Sequence, residues 1–75
     1  MDWQAHIVAT ADTLHGWPRF RGTRIPVTVV LDNLAAGMTS DELFAEYPTL
    51  PREAVAAALA YAADLARDSI VPVSA

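Results

Sequence analysis

The sequence predicts a mainly α domain, a tri-helical core preceded by a short N-terminal β-hairpin. Three observations predict it. Apolar residues recur at helical spacing between Val27 and Leu34 and again between Ala54 and Leu65. Between those stretches, Thr39-Ser40-Asp41-Glu42 has the composition of a helix start. Ahead of them, roughly residues 5–25 hold short β-prone runs interrupted by glycine and proline. One domain is all that 75 residues permit, divided into a hairpin segment at 5–25, a core at 26–68 and a tail at 69–75.

In the first part, Ile7-Val8 is a β-prone run and Leu14-His15-Gly16-Trp17-Pro18 marks a turn. Arg19-Phe20-Arg21 then alternates polar and apolar as a half-buried strand does. Gly22-Thr23-Arg24-Ile25 leads on to Pro26. Proline suits a first helical turn, where its missing N–H has no partner to lose. The first helix therefore begins near Pro26 or Val27 and carries Val27, Val30, Leu31 and Leu34 on one stripe. Gly37 is placed to end it in a left-handed conformation.

Thr39 and Glu42 form a capping box, each side chain bonding the other's backbone N–H, and Pro48 closes this short helix. The last helix runs from about Pro51 or Arg52 to Arg67. Eight alanines between Ala54 and Ala66 favour it strongly. It carries two apolar stripes, Val55, Leu59 and Ala62 on one, and Ala54, Ala58, Tyr61 and Leu65 on the other. A helix apolar on both sides is buried on both sides. The second stripe is thus expected to meet another protomer or a partner. The tail, Ser69 to Ala75, is β-prone and is expected either to be disordered or to dock on a neighbouring edge.

Composition limits the function. A domain this short buries a modest share of its surface. It has no cysteine for a disulfide or thiolate metal site, so oligomerisation, most simply a homodimer, is the expected support. The start of the chain lacks the pattern of a secretory signal and no apolar run reaches bilayer length. No membrane association is expected, and the default compartment is cytoplasmic. The first 37 residues balance three arginines with three aspartates. The remainder sets two arginines against six carboxylates and carries the whole net charge of −4. With no lysine, strong nonspecific affinity for nucleic acid is disfavoured.

Four segments in order carry a family resemblance. They are Phe20-Arg21-Gly22-Thr23-Arg24-Ile25-Pro26-Val27, Leu34-Ala35-Ala36-Gly37-Met38-Thr39, Glu46-Tyr47-Pro48-Thr49-Leu50 and Ala57-Ala58-Leu59-Ala60-Tyr61-Ala62. Together they resemble the DUF433 family. The resemblance implies a helix-turn-helix core, homeodomain- or winged-helix-like, behind an N-terminal β-hairpin. It also implies an antitoxin role in a type II toxin–antitoxin pair, because many such proteins are encoded beside a PIN-like ribonuclease. Two departures stand out. The proline before the last helix is shifted in Leu50-Pro51-Arg52-Glu53, and there is almost no C-terminal extension with which to wrap a toxin.

The candidate binding residues are Arg19, Arg21, Thr23, Arg24, Thr49 and Arg52. An exposed guanidinium beside Gly22 suits bidentate contact with phosphate or carboxylate, on DNA or at the acidic site of a PIN-like toxin. The structural alternative is that Arg24 pairs with a carboxylate such as Asp32 and ties the hairpin to the core. Thr49 and Arg52 would open a recognition helix, although the alanines beyond them read bases poorly. Ala54, Ala58, Tyr61 and Leu65 are the expected oligomer interface.

His6 and His15 lack the convergent partners of a metal site. An Asp12–His15 pair lacks a placed nucleophile. The carboxylates at 41–46 read as a solvated, capped helix. No cofactor, metal or catalytic residue is therefore expected, and the protein is expected not to be an enzyme. Trp17, beside Pro18, is the aromatic residue that would mark a protein interface if exposed. The expected function is an antitoxin-like regulator that neutralises a PIN-like ribonuclease and binds operator DNA. The alternative is a homo-oligomerisation or protein-interaction module without a nucleic-acid role.

Overall fold

The computed structural model describes residues 1–68. The tail at 69–75, with its expected disorder or docking, lies outside the described residues. A 3-10 turn at Trp3–Ala5 precedes strand β1 (Ile7–Val8), and a second 3-10 turn at Leu14–Gly16 precedes strand β2 (Arg19–Phe20). Three helices follow, α1 (Val27–Ala35), α2 (Ser40–Glu46) and α3 (Ala54–Asp68).

The two strands pair antiparallel with Ile7 opposite Phe20 and Val8 opposite Arg19. Because strand side chains alternate between faces, this register sends Ile7 and Phe20 together into the core. On its other side β2 meets the segment entering α1. Phe20 N–H donates to the Ile25 carbonyl at 3.1 Å, and Val27 N–H donates to Pro18 at 3.0 Å. The hairpin is thereby stitched to the start of α1. Gly22, at φ +79°, makes the turn between these bonds possible, and Thr23 seals it by donating its hydroxyl to the Phe20 carbonyl at 2.9 Å.

Helix α1 begins at Val27 with Pro26 before it, and the chain leaves it through Gly37 at φ +95°. Helix α2 starts on the expected capping box. The Thr39 hydroxyl accepts from Glu42 N–H at 3.1 Å, and Thr39 N–H donates to the Glu42 carboxylate at 2.9 Å. These bonds hold the Glu42 carboxyl below its ordinary pKa. Helix α3 starts at Ala54, two or three residues later than expected. Pro51 to Glu53 form a preceding turn, whose Pro51 carbonyl accepts from Ala54 N–H at 3.0 Å.

The core unites Ile7 and Phe20 with Val27 and Val30 of α1, Leu43 of α2, Leu50, and Ala54, Ala57 and Ala58 of α3. Full burial of a side chain such as Phe20 or Leu43 stabilises by roughly 1.5–3 kcal/mol. The alanines contribute little area themselves. Their small size lets α1 and the N-terminal 3-10 turn lie close against α3.

Placement of Ala54 and Ala58 corrects the expectation that they form an oligomer interface. Both are fully buried against the chain's own core. Apart from Leu65, the apolar residues that α3 exposes to solvent are Ala56, Leu59, Ala63 and Ala66.

Candidate functional site

The arginine-rich turn is mostly structural. Arg19 is half-buried. It donates from Nη1 to the Thr23 carbonyl at 3.1 Å and from Nη2 to the Thr10 hydroxyl at 3.5 Å, while its Nε–H is buried without a partner. Arg21 is exposed, but its Nε donates to the Ala5 carbonyl at 3.0 Å, bracing the strand pair from the N-terminal side. The Thr23 hydroxyl is engaged twice within the turn, donating to Phe20 and accepting from Ile25 N–H at 3.1 Å. Arg24 differs. It is exposed and makes no hydrogen bond or ion pair among the described residues, Asp32 included.

Thr49 and Arg52 are both exposed in the connection between α2 and α3, and Arg52 borders a shallow depression with Phe44 and Leu50. They are separate from the hairpin arginines in the element order, so the six expected binding residues fall into two groups, one on β2 and the turn after it and one between α2 and α3.

Tyr61 and Leu65 belong to a different feature. With Trp17 and Pro18 from the hairpin loop and Val27, Thr28 and Leu31 from α1, they line an apolar groove of about 440 Å³. Trp17 is 58% exposed and Leu65 is 51% exposed. A tryptophan leaves most of its ring in water only at a cost, since burial of so large an apolar surface stabilises strongly. The backbone that presents it is itself strained. Leu14 and His15 take left-handed conformations, at φ +52° and +55°, immediately before Gly16 at φ +82°. Non-glycine residues pay sterically for that region, and such strain gathers where a loop holds a side chain out for contact.

Around Tyr61 and Asp64, α3 is tied to the N-terminal turn. The Trp3 ring meets Tyr61 edge-on, with centroids 4.9 Å apart and planes at 83°. The Trp3 indole N–H donates to Asp64, which also pairs with Arg67. The bond from Trp3, and then that from Arg67, holds the Asp64 carboxyl below its ordinary range.

Among the described residues, no group of three His, Cys, Asp or Glu side chains could hold a metal ion. His15 is exposed at the strained turn, and Asp12 accepts from the Thr13 hydroxyl at 3.5 Å. No helix among them is long and apolar enough to cross a membrane. The arrangement offers an apolar groove and, apart from it, two exposed guanidinium groups, Arg24 and Arg52, without a partner among the described residues, which is the chemistry of association.

Sequence reasoning singled out Trp17, Tyr61 and Leu65 separately. It assigned Val27 and Leu31 to the core stripe of α1. What it could not supply was that the loop of the hairpin lies across α1 toward α3, which is what joins these residues in one groove.

A family model described as "Protein of unknown function (DUF433)" matches residues 7–62. A solved structure of a DUF433 member protein from Anabaena variabilis is similar at 34% identity and a TM-score of 0.75, over 87% of this chain and 64% of that one. The chain therefore spans less than two thirds of that relative's length. No curated protein matches it.

Proposed function

This chain belongs to the DUF433 family, and from that premise we propose that it is a regulatory binding protein, antitoxin-like, that neutralises a PIN-like ribonuclease. The observation that carries this reading is the apolar groove headed by exposed Trp17. Exposed tryptophans beside a preformed concavity are the usual anchors of protein interfaces. Arg24 adds a cation suited to the acidic site of a nuclease. The identity of the partner rests on family resemblance.

A helix-turn-helix architecture and operator binding are part of the same proposal, with narrower support. The connection from Ala36 to Thr39 has the length and the glycine of a helix-turn-helix turn. The helix after it, however, bears Asp41, Glu42 and Glu46, which phosphates repel. If α3 is the reading helix, its first turn of Ala54, Val55 and Ala56 offers no donor or acceptor to a base edge. Arg52 and Thr49 are then the contacts, and they suit the phosphate backbone.

A second reading, a homo-oligomerisation module, is favoured by the outer side of α3. There Leu59 is 52% exposed among Ala56, Ala63 and Ala66. Small residues around one larger one allow close helix approach.

The test is affinity capture of the tagged protein from its native host, with bound chains identified by mass. Recovery of a PIN-like nuclease by the wild type, and its loss with Trp17→Ala or Arg24→Ala, supports neutralisation. Recovery of the chain alone, in a stable assembly, moves the oligomerisation reading to first place.

A further inference from the structure

The groove's lining is apolar but for Thr28, and the two helices that form its walls each carry an aspartate one turn beyond a lining residue. Asp32 lies one helical turn beyond Thr28 in α1, and Asp68 lies three residues beyond Leu65 in α3; both are exposed. Residues three or four apart share a helix face, so each aspartate continues a face that lines the groove. Arg67, the cation nearest in sequence on α3, is paired with Asp64. The segment from residue 38 onward carries the whole net charge of −4, and the chain has no lysine.

We propose that this groove receives a basic amphipathic helix of a partner protein, with apolar side chains against Trp17, Leu31 and Tyr61 and lysines or arginines against Asp32 and Asp68. Such a segment matches both parts of the site, since apolar anchors supply affinity and flanking opposite charges set orientation and partner choice. A second copy of this chain does not match it. A two-fold pairing through the groove sets the same surface on both sides, and none of its lining residues is a cation that could answer Asp32 and Asp68.

The inference rests on the reading of the chain as a regulator of a ribonuclease and names the surface of that enzyme it would take. An enzyme that holds RNA must present cations to phosphates. Carboxylates that engage those cations compete with substrate without entering the catalytic centre.

Two synthetic helical peptides test this on the full chain. Both carry leucines at i, i+3, i+4 and i+7; one has lysines at the flanking positions and the other glutamates. Binding is followed by the amide and indole resonances of the protein. The lysine peptide is expected to shift the Trp17 indole and the Leu31 and Tyr61 amides, and to bind about tenfold or more tightly than the glutamate peptide. Added salt should narrow that gap. An Asp32→Lys, Asp68→Lys double variant, whose changes lie on exposed positions, should keep its circular dichroism spectrum and reverse the preference.

Equal affinity for the two peptides, absence of binding, or shifts confined to other surfaces overturns the proposal. The ribonuclease reading fails separately. Nuclease capture unaffected by the double variant, with no peptide preference, keeps that reading and removes the groove's role. Peptide discrimination with no nuclease captured keeps the groove's role and removes that reading.

Discussion

The Trp3 indole N–H donates to the Asp64 carboxylate at 2.6 Å, joining residues 61 positions apart and fastening the N-terminal turn to the last turns of α3. The Trp3 ring simultaneously packs edge-on against Tyr61, one turn earlier in α3. Tyr61 also lines the groove, so the contact joins the N-terminal turn to a residue of that wall.

Replacing Trp3 with Phe retains an aromatic edge for Tyr61 and removes the donor to Asp64. The Asp64 pKa should rise toward its ordinary value, and the melting temperature should fall. Side-chain carboxyl resonances followed through an acid titration check the first outcome, and a thermal melt the second.

Acid sensitivity has a defined sign. In the folded chain the carboxyls of Asp64 and Glu42 are held below their ordinary values of 3.8 and 4.5. A carboxylate with a lowered folded pKa stabilises fully above its unfolded value and loses that contribution as pH falls through the folded one. The stability difference between wild type and Trp3→Phe should therefore be constant above the ordinary aspartate range and shrink below it. Melts at a series of acidic pH values measure this.

Thr39→Ala should destabilise by about 0.5–2 kcal/mol, the usual cost of losing an N-cap. It also removes the hydroxyl's share in depressing Glu42, while the backbone N–H of residue 39, the larger cause, is kept. Urea unfolding gives the first effect, and the Glu42 titration, displaced only part of the way toward its ordinary value, gives the second.

Gly22→Ala isolates backbone strain from packing. An added Cβ meets nothing within 4 Å, while the residue sits at φ +79°. The expected loss is about 1–2 kcal/mol, the penalty for an L-residue in the left-handed region. Denaturant unfolding checks it, and a loss much larger than this would mean that the turn between Phe20 and Ile25 had reorganised.

Leu43→Ala and Trp17→Ala should separate fold from surface. Leu43 is fully buried, and its truncation should cost about 2–5 kcal/mol, enough to unfold much of a small domain. Trp17 is 58% exposed, and its truncation should change stability by no more than about 0.5 kcal/mol. Circular dichroism melts of the two variants provide the comparison.

Short-range chemistry determined the helices and their ends. The Thr39–Glu42 box, Pro26 ahead of α1, Gly37 after it and the 3.6-residue recurrence of Val27, Val30 and Leu34 each act within a few residues, so each was legible in the sequence. The start of α3 was less so, because Pro51 could open either a helix or the turn that precedes one. Only the tertiary structure decided which apolar side of α3 was already covered. Ala54 and Ala58 are buried in one core cluster with Phe20, Val30 and Leu43, from three other elements, and no periodicity within α3 can report what those elements cover. The same holds for the arginines. Arg19 and Arg21 look alike in sequence to Arg24, yet the carbonyls of Thr23 and Ala5 engage the first two and leave the third exposed. Local propensity acts along the chain, whereas burial and hydrogen-bond partnership depend on which distant segments arrive at the same place.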